Sequence, residues 1–147
     1  MILGSDFYSK SLERIQQHIS SLDKKIQLKL FDIRDFKKLN AYIKLKKPSI
    51  IFHLAAQPLV AISYKDPLET FNTNIIGTAN LLESLRKIQN ECIAIIVTSD
   101  KSYDNLELKR GYHENDKLGG SDPYSGSKGA AELVIQSYVK SFFSDNN

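Results

Sequence analysis

The sequence predicts an α/β fold built on a parallel sheet with helices on both faces. Three observations predict it. Short apolar runs alternate along the chain with segments of helical period. Two of those runs, 49–54 and 93–98, are almost continuously apolar, as strands covered on both faces are. The segments between the runs are long enough for crossover helices.

The elements follow in order. A helix is expected over about 9–19. A strand is expected over 26–30, where Ile26, Leu28 and Leu30 alternate with Gln27 and Lys29. From Asp35 the period changes. Phe36, Leu39 and Ile43 fall on one helical face, and Pro48 ends the segment. Residues 49–54 form a strand by length and β-branching, and a loop containing Pro58 follows. Leu68, Phe71, Ile75, Ala79, Leu82 and Leu85 then take helical spacing, with Asp66 and Pro67 at its N-cap and first-turn positions. Residues 93–98 are a further strand and 100–122 a polar, glycine-containing loop. A last helix runs from Pro123 to about 143, its apolar side made of Ala131, Val134, Ile135, Tyr138, Val139 and Phe142. The order is α-β-α-β-α-β-α. Ligands of such sheets sit beyond the carboxyl ends of the strands. That directs attention to Asp32, to Leu54-Ala55-Ala56-Gln57 and to Ser99-Asp100-Lys101.

The composition bounds the answer. A chain of 147 residues, 41% hydrophobic and 25% charged, reads as one globular domain over 1–147. No apolar stretch approaches the roughly 18 residues of a membrane span. The N-terminus lacks the basic and long apolar regions of a signal peptide. Cys92 is the sole cysteine, so it makes no internal disulfide, suits a reducing cytoplasm and reads as a small core residue. Residues 1–47 carry 11 Lys and Arg against 5 Asp and Glu, whereas 48–147 carry 9 against 12. The lysines scatter over helix faces rather than forming a basic stripe with aromatics, which argues against nucleic acid as a partner. His18 and His113 have no partners at metal-ligand spacing, so no metal site is expected.

Tyr124 and Lys128 lie one helical turn apart and share a face. A neighbouring ammonium favours a phenolate, which makes Tyr124 a usable base. Tyr42 and Lys46 repeat the spacing, but in mid-helix, where a structural role is expected. Tyr124 instead opens a helix after a long loop, among the small residues Ser125, Gly126, Ser127, Gly129, Ala130 and Ala131. Ser99, Asp100 and Lys101 end a buried strand as three consecutive polar residues: a hydroxyl to bind a substrate oxygen, and a carboxyl and an amine for acid-base work. Asp32 has two readings, an acceptor for an adenine amino group or the cap of the following helix. Ala55 and Ala56 offer a small, flat surface for a cofactor. His53, inside an apolar strand, reads as a hydrogen-bonded core histidine.

Together these residues resemble the extended short-chain dehydrogenase/reductase family. The matching blocks are Asp32-Ile33-Arg34-Asp35, His53-Leu54-Ala55-Ala56-Gln57, Thr73-Asn74-Ile75-Ile76-Gly77-Thr78 and Tyr124-Ser125-Gly126-Ser127-Lys128. Within that family the chain is similar to the CDP-glucose 4,6-dehydratase branch. Here the likeness rests on Ala55-Ala56-Gln57-Pro58-Leu59-Val60, Thr98-Ser99-Asp100-Lys101, Gly111-Tyr112 and Asp122-Pro123-Tyr124, with Lys101 where most dehydratases of the family carry Glu.

The resemblance implies an incomplete Rossmann-like NAD-binding domain and a redox-neutral dehydration of a nucleotide-sugar, CDP-glucose. It implies that Tyr124, helped by Lys128, takes the sugar 4-hydroxyl proton and that Ser99 binds the 4-oxygen. Lys101 helps remove the C5 proton, and Asp100 protonates the departing 6-hydroxyl. It further implies NAD contacts at Asp32, Ile33, Leu54, Ala55, Ala56, Thr73, Tyr124 and Lys128, and a homodimer through the Tyr124 helix.

Three departures accompany it. No glycine-rich phosphate loop of the G-x-x-G-x-x-G type occurs in the 147 residues. The first strand and the C-terminal substrate domain are expected to be missing. Ala61 stands where these dehydratases usually carry Arg. The rival expectations are another nucleotide-sugar epimerase or dehydratase, and a non-catalytic truncated remnant.

Overall fold

The computed structural model describes residues 29–144 and the single position 17. The expected helix over 9–19 and strand over 26–30 therefore lie largely outside the described residues. Gln17 is helical, and Lys29 and Leu30 are not in a strand.

Helix α1 (Phe36–Lys46) starts where Asp35 turns its carboxylate onto the Lys38 backbone N–H at 3.1 Å. It ends at Lys47, whose φ of 44° places it in the left-handed region just before Pro48. Strands β1 (Ile50–His53) and β2 (Ile93–Ile96) pair in parallel, Ile50 opposite Ile93 and His53 opposite Ile96. Between them run α2 (Val60–Lys65), α3 (Pro67–Phe71), a π turn over Asn72–Ile76 and α4 (Gly77–Arg86). The long loop after β2 contains a 3-10 turn at Asp100–Ser102, and α5 (Pro123–Tyr138) follows it.

One face of the sheet is covered. Ile51 packs with Leu39 and Ile43 of α1 and Leu81 and Leu85 of α4. Cys92 is half-buried against this cluster, and burial pushes its thiol pKa up, so it behaves as the small core side chain the sequence suggested. The alternate residues Ile50, Phe52, Ile93 and Ile95 face the other way, with Phe52 62% exposed, and no described element covers them.

Two differences from the sequence reading have physical causes. The helix expected from Asp66 starts as predicted, with the Asp66 carboxylate accepting from Glu69 N and Pro67 in the first turn. It then widens into the π turn, where Gly77 N–H reaches Asn72 O. That extra residue rotates the face, so Leu68 is exposed while Leu81, Leu82 and Leu85 are buried. The apolar side expected of the last helix is buried only towards its start, at Ala131. Val139 and Phe142 are exposed and, with Leu82, Leu85 and Ile135, line a groove of 760 Å³ against β2.

Candidate active site

The site is built on the first turns of α5. Asp122 caps the helix: its Oδ1 accepts from Tyr124 N at 2.9 Å and Ser125 N at 3.0 Å, and Ser125 Oγ donates to Oδ2 at 2.6 Å. Ser63 Oγ of α2 also accepts from Tyr124 N, at 3.1 Å. Pro123 occupies the first turn, where its missing N–H costs nothing. Gly120 lets the loop lie on this turn, because a Cβ there would stand 2.3 Å from Ser125 Cβ. Tyr124 is 8% exposed and Lys128 7%. Burial lowers the Lys128 ammonium below the usual lysine range, and the charge of Glu132 opposes that.

The segment 98–102 lies along the same helix. Thr98 Oγ1 donates to Glu132 Oε1. Gly129 packs so closely that a Cβ would be 3.1 Å from Ser102 O. The charge of Lys101 lowers the Asp122 carboxylate, adding to the hydrogen bonds from Ser125 and Tyr124 that outweigh its desolvation. The expected catalytic residues of the strand end and of the helix are thus neighbours. Ser99 Oγ accepts from Lys101 N at 3.2 Å and donates to Asp100 Oδ1 at 3.1 Å, so it caps the 3-10 turn. Asp100 and Lys101 are exposed.

The expected cofactor residues fall into two groups. Ala55 and Ala56 are half-buried beyond β1, and Leu54 is exposed beside them. The next residue, Gln57, is tied to α5 through Asn74. Asn74 Oδ1 accepts from Gln57 N at 2.8 Å, and its amide donates to Gln57 O at 3.2 Å and Ser127 Oγ at 2.8 Å. Ser127 Oγ in turn donates to Tyr124 O at 2.6 Å.

The second group lies at the turn before α1. Asp32 accepts from Arg34 N at 2.8 Å and from the Arg34 guanidinium, which holds its carboxyl below the usual range. Arg34 also pairs with Glu69, whose other oxygen accepts from Thr73 Oγ1 at 3.3 Å. Ile33 is buried against Gly77, and Asn80 donates to the carbonyls of Ile33 and Arg34 at 3.0 and 3.1 Å. The helix cap is Asp35, so the capping alternative for Asp32 does not apply.

His53 is the core histidine expected: buried, 3.1 Å from Thr78 Oγ1, its pKa pushed down to about 4 by burial and by the Lys128 charge. Tyr42 and Lys46 are structural, the ammonium lying 5.8 Å above the ring and the ring tilted at 60° against Phe31. Among the described residues no group of His, Cys, Asp and Glu is placed to hold a metal ion, and no helix is long and apolar enough to cross a membrane.

Sequence reasoning missed Glu69 and Glu132, and gave no role to Ser63 or Asn74 beyond their place in the chain. The spacing of Glu132 from Lys128, one turn, is a signal that was present. The others act through tertiary hydrogen bonds with no local signature.

A parallel two-stranded core with helical crossovers, and a Tyr/Lys helix against a Ser-Asp-Lys strand end, defines a Rossmann-type α/β domain with a polar cluster at the carboxyl edge of its sheet. Residues 2–144 match the family described as GDP-mannose 4,6 dehydratase, and the chain belongs to that family. It is 53% identical over 116 residues to CDP-glucose 4,6-dehydratase of Salmonella typhimurium, covering 79% of this chain and 32% of that protein. It is 32% identical over 126 residues to CDP-paratose 2-epimerase of Salmonella typhi, covering 76% of this chain and 37% of that one.

The fold resembles UDP-glucuronic acid 4-epimerase from Bacillus cereus, solved with UDP-glucuronic acid and NAD. The TM-score is 0.77 at 24% identity, over 91% of this chain and 41% of that one. It also resembles dTDP-glucose 4,6-dehydratase from Streptomyces venezuelae, solved with NAD, with a TM-score of 0.75 at 24% identity, over 88% and 40% of the two chains. The chain spans about a third of the length of the curated relatives it matches.

Proposed function

We propose that this chain carries the catalytic portion of an NAD-dependent nucleotide-sugar 4,6-dehydratase, with CDP-glucose as substrate. The observation that carries the reading is the packing of 98–102 along α5, beside buried Tyr124 and Lys128. The 53% identity to a CDP-glucose 4,6-dehydratase supports it.

The residues fit NAD in part. Ala55 and Ala56 are small and half-buried just beyond β1, and the buried Lys128 ammonium would donate to an acceptor such as a ribose hydroxyl. Asp32 is already engaged by Arg34, and the sequence has no glycine-rich phosphate loop. NAD, when bound, supplies a hydride acceptor that later returns the hydride.

The chain's own residues handle protons. Tyr124 takes the proton of the sugar 4-hydroxyl, with Lys128 one turn further along the same helix. Ser99 donates to the 4-oxygen. Once C4 is a ketone, the C5 proton is acidic, and Lys101 helps remove it. Asp100 protonates the departing 6-hydroxyl, which leaves as water. A homodimer through α5 and a cytoplasmic location belong to the same reading. Exposed Leu133 on α5 supports the first and the single half-buried cysteine the second.

A second reading is a chain that is inert alone. It is favoured by the uncovered sheet face at Ile50, Phe52, Ile93 and Ile95 together with the missing phosphate loop. A thermal melt separates the two. The dehydratase reading expects NAD to raise the midpoint of the wild-type chain and not that of Ala56→Phe, whose ring fills the cofactor wall. No NAD-dependent rise in a folded wild type supports the inert reading. Lys101→Ala separates a dehydratase from an epimerase, because only dehydration needs C5 deprotonation.

A further inference from the structure

Glu132 follows Lys128 by one turn of α5, so the two side chains share a face. Its carboxylate is not free to wander: Thr98 Oγ1, two residues beyond β2, donates to Oε1. Thr98 directly precedes Ser99, Asp100 and Lys101. One side chain therefore touches the segment carrying one half of the cluster and stands beside the cation of the other half.

The electrostatics agree with the geometry. Lys128 is buried, and an ammonium out of water needs a counter-charge. From β1 it meets His53, which burial keeps neutral near pH 7 and which supplies none. From α5 it meets Tyr124 one turn earlier and Glu132 one turn later. Glu132 is the acid whose charge acts on it, while the charge of Asp122 is felt with Lys101.

We infer that Glu132 is a positioning residue of this site: through Thr98 it ties the Ser99-Asp100-Lys101 strand end to the Tyr124 helix, and it supplies the counter-charge of Lys128. This rests on the proposed function for the roles of those residues, and its test does not depend on turnover.

Three variants divide the role. Glu132→Gln keeps an oxygen for Thr98 and removes the charge. Glu132→Asp keeps the charge on a shorter arm. Thr98→Val keeps the charge and removes the tie. The readout is an NMR titration of the lysine side chains in the full chain, with Lys128 assigned by its loss in Lys128→Arg.

The expected result is a downward shift of the Lys128 midpoint in Glu132→Gln and its recovery towards wild type in Glu132→Asp. In Thr98→Val, a smaller downward shift is expected with movement of the Ser99 and Lys101 amide signals. A purely structural Glu132 would change stability and leave the Lys128 midpoint in place. An unchanged midpoint in folded Glu132→Gln overturns the inference. If that variant does not fold, an unchanged midpoint in Thr98→Val overturns it. If Tyr124→Phe still makes product, the catalytic reading fails. If Tyr124→Phe is inactive and the Lys128 midpoint never moves, only this inference fails.

Discussion

Single side chains hold this site in place through hydrogen bonds that a neighbouring residue cannot replace. Asn74 makes three such bonds, to both polar groups of the Gln57 backbone and to Ser127. Asn74→Ala strands buried partners, each costing about 1–3 kcal/mol. Urea melts should show a loss of at least that size, with Tyr124 less well placed. His53 gives a pH dependence with a definite sign. Its folded pKa, about 4, lies below the unfolded value of 6.5, so the unfolded chain binds the proton first. Its contribution is fully present above pH 6.5 and is lost as pH falls towards 4, a total of about 3 kcal/mol. Stability measured between these limits should fall more steeply in wild type than in His53→Gln.

At the scale of elements, close backbone approach decides how the loop after β2 meets α5. A Cβ on Gly120 would collide with Ser125 Cβ at 2.3 Å and Ser125 C at 2.5 Å, and neither is a flexible side-chain end. Gly120→Ala should therefore destabilise by about 1–3 kcal/mol or more. Amide exchange in the first turn of α5 should rise before that of α1.

The same elements show how far the sequence could be read. Helix starts and strands were legible because their signals are local: Asp66 with Pro67, and Pro123, act within a turn, and the apolar runs of β1 and β2 carry their own pattern. Helix α2 and the π turn were not legible. Pro58 obscured the first, and the second depends on how Asn74 is held by Gln57 and Ser127, distant in sequence. Tyr124, Lys128 and the Ser99-Lys101 segment stood out by type and place. The bonds that hold α5 in place join residues 34 to 61 positions apart, a range that periodicity does not reach.

For the whole molecule, the open sheet face matters most for behaviour in solution. Phe52 is 62% exposed amid Ile50, Ile93 and Ile95, a patch of the kind that binds other apolar surfaces. Phe52→Thr should change stability by less than about 0.5 kcal/mol, because little contact is lost. It should also lower the binding of a hydrophobic dye and reduce self-association in size-exclusion runs.

The central claim is chemical, and mass spectrometry tests it most directly. The purified chain is incubated with CDP-glucose and with NAD in large excess, because its 147 residues carry no glycine-rich phosphate loop. The account predicts slow formation of a nucleotide-sugar lighter by one water, lost in Tyr124→Phe. No such product from a folded chain that binds NAD, or product that persists in Tyr124→Phe, would contradict it.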